Sequence, residues 1–180
     1  FNSQYSKNLN NPHIFCIKTY GSPYLLYLTK VNNVNYALLI DKKIKNGHDY
    51  PKMFIVQYRF HDDLYHGSLF ETELLRDDDN GWQLLLADIY YYKGKMLKDT
   101  VITERINMMH DILNDEYKND SFCDICPLMI KRYFDMNDKS TAFNDFIPSL
   151  NYKTRGLYFV PINVRYSNIL YMFKDDELKN

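Results

Sequence analysis

The feature that most constrains this chain is a change of rhythm near residue 100. Before it, short apolar and aromatic runs are cut by turn-forming residues; after it, apolar residues recur at helical spacing. Residues 24–29, 36–40, 53–60, 69–75 and 82–92 read as strands from their length and their β-branched and aromatic content. Asn32-Asn33 separates the first two, and asparagine tolerates the positive φ that a tight hairpin demands. The acidic Asp77-Asp78-Asp79-Asn80-Gly81, read as a solvated hairpin tip, and Lys93-Gly94-Lys95 mark two further turns, and residues 61–67 turn the chain once more. From there Ile102, Ile106, Met109 and Leu113 fall at i, i+4, i+7 and i+11, one face of a helix that Asp99 or Thr100 would cap. A second helix is predicted over 138–146, ending before Pro148. Strands over 13–17, 128–134, 156–161 and 168–173 complete an α+β reading rich in antiparallel sheet, as one domain over 1–180.

Within that frame, Cys16 to Leu28 concentrates the candidate chemistry. Lys18, a spacer, Tyr20 and Gly21 lead into the run at 24, which places Lys18 at the lip of a cleft floored by that strand. Gly21 is read as a backbone turn that a side chain would resist. With 22 basic and 23 acidic residues, the chain lacks the basic excess of a non-specific nucleic-acid binder, although a local basic groove is allowed. The 17 Tyr and 11 Phe are read mainly as core and sheet residues, and Trp82 as a strand anchor. Three cysteines point to a reducing compartment, and Cys123-Asp-Ile-Cys126, with no second ligand pair nearby, to free thiols. No run approaches the roughly 18 apolar residues of a membrane helix, so an intracellular, cytoplasmic or nuclear setting without a membrane partner is expected. Abundant Asn, Lys and Tyr point to an AT-rich genome, a protist or a large DNA virus, where the setting would be a viral factory or virion. Glu73 and Asp88, on neighbouring predicted strands, are either cation ligands or hydrogen-bonded structural carboxylates.

The order of short motifs resembles the nucleotidyltransferase superfamily, and within it the guanylyltransferase domain of mRNA capping enzymes. Lys18-Thr19-Tyr20-Gly21-Ser22-Pro23 stands in the register of the nucleophile motif, Lys-x-Asp-Gly-x-Arg. Phe70-Glu71-Thr72-Glu73-Leu74 echoes the third motif, and Leu85-Leu86-Ala87-Asp88-Ile89 the one after it. Arg155-Gly156-Leu157-Tyr158-Phe159 echoes the fourth, and Tyr171-Met172-Phe173-Lys174 loosely the fifth. The resemblance implies an α+β nucleotidyltransferase domain whose lysine would attack the α-phosphate of GTP, with acidic side chains on a divalent cation. Here Tyr20, Pro23, Arg155 and Met172 replace expected Asp, Arg, acidic and Lys residues, and no length follows Lys174 for the OB-fold domain of the enzymes.

The expectation is therefore a catalytically degenerate domain that binds a guanine nucleotide or RNA cap, in the manner of snurportin-like cap-binding domains, or that partners an RNA-processing enzyme. Lys18, Glu73, Asp88, Arg155, Tyr171, Phe173 and Lys174 are the candidate binding residues, with Trp82 a further stacking candidate. No cofactor is expected, and RNA or a protein partner remains in view. One alternative is an active guanylyltransferase forming a Lys18–GMP adduct with magnesium. Another is a structural protein-interaction module.

Overall fold

The computed structural model describes residues 12–163 and 169–172. Strands β1 (His13–Thr19), β2 (Ser22–Val31), β3 (Val34–Asp41) and β4 (Met53–Val56) are followed by a short β5 (Arg59–Phe60) and a 3-10 turn at Asp62–Tyr65. The long β6 (His66–Asp77) and β7 (Gly81–Tyr92) come next, then β8 (Lys95–Met96), helix α1 (Ile102–Asp115) and β9 (Tyr117–Lys118). β10 (Leu128–Ile130), β11 (Tyr133–Asp135), the helical segment opening with α2 (Lys139–Thr141), β12 (Thr154–Pro161) and β13 (Ile169–Met172) complete the order. One sheet runs β10-β7-β6-β2-β3-β4, a smaller one β11-β1-β12-β13, and β5 pairs with β9. Every pairing is antiparallel except β10 beside β7.

Two cores hold the sheets. Leu26, Leu28, Phe70, Leu84, Leu86 and Ile89 are fully buried against Met109 and Ile112 of α1. On the smaller sheet, Phe15, Ile17, Phe134 and Phe159 pack beneath the segment after α2, around Ala142. The remaining face of the smaller sheet looks across a cleft at the larger one; the Tyr133 hydroxyl spans it, donating to the Ala87 carbonyl at 2.6 Å. Among the described residues no helix is long and apolar enough to cross a membrane.

The hairpin after β2 forms as expected, with Asn32 and Asn33 at φ 51° and 62°. Several expectations need correcting. Residues 53–60 are two strands, because Tyr58 between them is buried and its hydroxyl donates to the Cys126 carbonyl at 3.2 Å, drawing the chain off the sheet edge towards β9. Residues 128–134 are also two strands, one in each sheet: Lys131 donates its N–H to the Leu86 carbonyl and turns its ammonium inward, and the chain crosses over there. The turn predicted at 61–67 is a 3-10 turn followed directly by β6, which begins at His66. Helix α1 begins after Val101 without a side-chain cap; the Arg105 guanidinium instead bonds the Thr100 carbonyl. The second helix does not stop before Pro148, because its last turns widen to π over Ala142–Phe146 and tighten to 3-10 over Ile147–Ser149, where Pro148 lacks no needed donor. Asp77 is not part of a solvated tip: it is buried, and its Oδ1 accepts from the Asp79 and Asn80 N–H groups.

Candidate functional site

The cleft is built by two alternations. Along β1, Phe15 and Ile17 enter the smaller core, so Cys16 and Lys18 face the larger sheet. A bulge between Lys18 and Thr19 breaks the alternation and lets the Thr19 hydroxyl reach Glu73. Along β6, period two puts Glu71 and Glu73 on one face, with Asp88 of β7 opposite Glu71.

Each of these carboxylates is matched by a cation of the chain. Glu73 accepts from the Lys131 ammonium at 2.5 Å, both side chains nearly buried. Glu71 accepts from Lys42 and from the Tyr90 hydroxyl. Asp88 takes both arms of Arg105, Nε at 2.7 Å and Nη2 at 2.8 Å. Burial raises the Glu71 carboxyl, but the bonds from Lys42 and Tyr90 outweigh it and hold its pKa below the ordinary value. Burial likewise opposes the charge on Lys131, and anionic neighbours including Glu73 overcome it, leaving the pKa raised. Beside them Cys16 is an inert thiol, pushed up to about 11 by burial.

Two further cations differ. The Lys18 ammonium donates to the Tyr158 hydroxyl at 2.5 Å and lies 4.1 Å from that ring's centre. Arg155 Nε donates to the Thr19 carbonyl at 3.0 Å, and its guanidinium lies over the Tyr20 ring at 5.0 Å. Among the described residues neither has a carboxylate within ion-pair distance. Tyr20 and Arg155, two residues standing where acids are expected, therefore pack on each other.

Gly21 follows the bend at Tyr20 and sits against the same cluster. Its φ is not in the positive region; a Cβ there would lie 2.5 Å from Glu73 Cγ, so the glycine serves close approach. A cavity of about 370 Å³ opens beyond Lys131, towards Gln83 and Tyr152. Another, of about 460 Å³, lies between Glu71, Asp88, Tyr90 and Arg105 on one wall and Val160 on the other.

Lys18, Glu73 and Arg155 are brought together around Thr19, whereas Asp88, on the same sheet as Glu73 and paired with Glu71 in register, is held apart by Arg105. Trp82 is on the rim, 54% exposed, outside the cleft. The Tyr171 backbone pairs with Leu157, its side chain lies outside the described residues, and so do Phe173 and Lys174. Sequence reasoning missed Lys131, Arg105, Lys42 and Tyr158 as site residues. Tyr158 carried a usable signal, being one of the two aromatic residues, with Phe159, of the triplet after Gly156.

A family model described as mRNA capping enzyme, catalytic domain, matches residues 3–172. The chain belongs to that family. Comparison with curated proteins returns no match. The divalent cation that this capping-enzyme family implies meets a poor donor set here. Glu73 is already shared by Thr19 and Lys131, and the Arg155 guanidinium is bound to the Thr19 carbonyl beside it. Among the described residues no three His, Cys, Asp or Glu side chains converge on a metal-sized site. The two nearby thiols part company, Cys126 against the Tyr58 hydroxyl and Cys123 towards Arg59.

Proposed function

We propose that this capping-family domain binds a guanine nucleotide or RNA cap and does not transfer it. The observation that carries the reading is the charge balance of the cleft. Glu71, Glu73 and Asp88 each have a cation of their own, while Lys18 and Arg155 have no carboxylate partner among the described residues. A phosphate chain supplies the anion both lack, to a point charge on Lys18 and a planar fork on Arg155. Tyr158, half-buried and joined to Lys18, offers a ring on which a base can stack. Nucleophilic attack by Lys18 would need a neutral amine and a compensated α-phosphate; the poor donor set withholds the second.

Calorimetry with GTP, a 7-methylguanine cap analogue and ATP, with and without EDTA, tests the reading. Guanine ligands are expected to bind equally with and without chelator, and Arg155→Gln to weaken them about tenfold, the scale of one charge-assisted contact. No binding of any of the three at millimolar ligand would overturn it and leave the structural-module reading. With α-labelled GTP and magnesium, no covalent label is expected; label that disappears in Lys18→Ala would establish an active guanylyltransferase instead.

A further inference from the structure

We propose that the groove beside Tyr20 and Trp82 holds the first nucleotides of a single-stranded RNA whose 5′ end lies in the cleft. The proposal rests on the reading above for its starting point and on a separate set of residues for its substance.

The groove, about 300 Å³, begins at Thr19, the residue whose carbonyl Arg155 binds, so it continues from where the two unneutralised cations stand. Its flanks carry two large rings left in solvent, Tyr20 at 57% and Trp82 at 54% exposed. Neither is needed by a core: Trp82 stands at the open end of β7, opposite Arg76 of β6 in register. Arg76 and Lys153, both exposed, add two positive charges to the lining against one carboxylate, Asp78. Leu74 and Leu75 form an apolar floor.

Exposed rings and cations lining one groove match what a single strand offers, since every base has a π face and every link a phosphate. An acidic peptide would satisfy Arg76 and Lys153 but leave the ring faces unused. Duplex fits poorly too, because its bases are already stacked. A volume near the lower end of ligand pockets accommodates one base beside the rings, with the rest of the strand outside.

The experiment compares a 7-methylguanosine triphosphate mononucleotide with a capped hexanucleotide RNA, and the hexanucleotide with its uncapped 5′-hydroxyl form, by fluorescence anisotropy at several salt concentrations. The capped hexamer is expected to bind at least about tenfold tighter than the mononucleotide. Trp82→Ala should remove that gain and leave the mononucleotide affinity unchanged, and Trp82→Phe should restore most of it. Arg76→Gln should lower the salt slope of hexamer binding by about 0.7, the loss of one phosphate contact on a single strand. A hexamer that binds no tighter than the mononucleotide, or a gain indifferent to Trp82→Ala, overturns the groove while leaving the cap reading intact. If the hexamer binds through Trp82 and no mononucleotide binds, the groove stands and the cap reading falls; if nothing binds, both fall.

Discussion

Gly21 has an ordinary backbone angle, so its identity is dictated by what stands beside it. A Cβ would meet the Glu73 side chain at 2.5 to 2.9 Å, and Glu73 cannot yield freely because Thr19 and Lys131 hold its two oxygens. Gly21→Ala is therefore expected to destabilise the fold by about 1–3 kcal/mol, the usual scale of overpacking, as read by urea denaturation. An unchanged midpoint would show that Glu73 has another rotamer available. At this scale the sequence was half legible. Lys18, Glu73 and Arg155 could be named because each stands beside a glycine or in a short ordered motif. Lys131, which neutralises Glu73 from 58 residues away, could not, since nothing local marks a lysine that folding will bury.

The elements were legible wherever one periodicity ran unbroken. β2, β3, β6, β7 and α1 all lie where alternation or the i, i+4 spacing puts them, with somewhat longer bounds. The misread strands fall where the chain changes partner in mid-run, at Tyr58 and at Lys131, because periodicity reports which face is buried and not which sheet does the burying. The crossover from β10 to β11 depends on the Lys131–Glu73 pair, whose side chains are 8% and 14% exposed. Removing one partner strands a charge: Lys131→Met and Glu73→Gln are each expected to cost about 3–5 kcal/mol. The double variant should cost clearly less than their sum, because no charge is then left unpaired. Strict additivity in denaturation experiments would show that the pair is not coupled.

Over the whole molecule, a net charge of −1 conceals a strongly organised interior, in which Lys42, Lys131 and Arg105 each answer one carboxylate of the cleft wall. That arrangement gives stability a definite acid limb. The folded-state pKa of Glu71 lies below its ordinary 4.5, and that of Glu116 is lowered in the same way by Lys93 and Tyr92 against the effect of burial. Near their ordinary values the unfolded chain therefore binds more protons than the folded one. Their contribution is complete above that range and is lost as the pH falls through the depressed folded values. Urea midpoints measured from about pH 6 to pH 3 should fall steeply, and Glu71→Gln should fall less steeply than wild type over the same range. Parallel slopes would remove Glu71 from this account.

The contact between Tyr20 and Arg155 also ties two substitutions together. An acid placed at position 20 alone would meet the guanidinium and be captured as an ion pair, unavailable for anything else. An acid placed at 155 alone would set a negative charge near the electron-rich face of the Tyr20 ring. The two positions therefore form one coupled unit, in which the effect of changing either depends on what stands at the other.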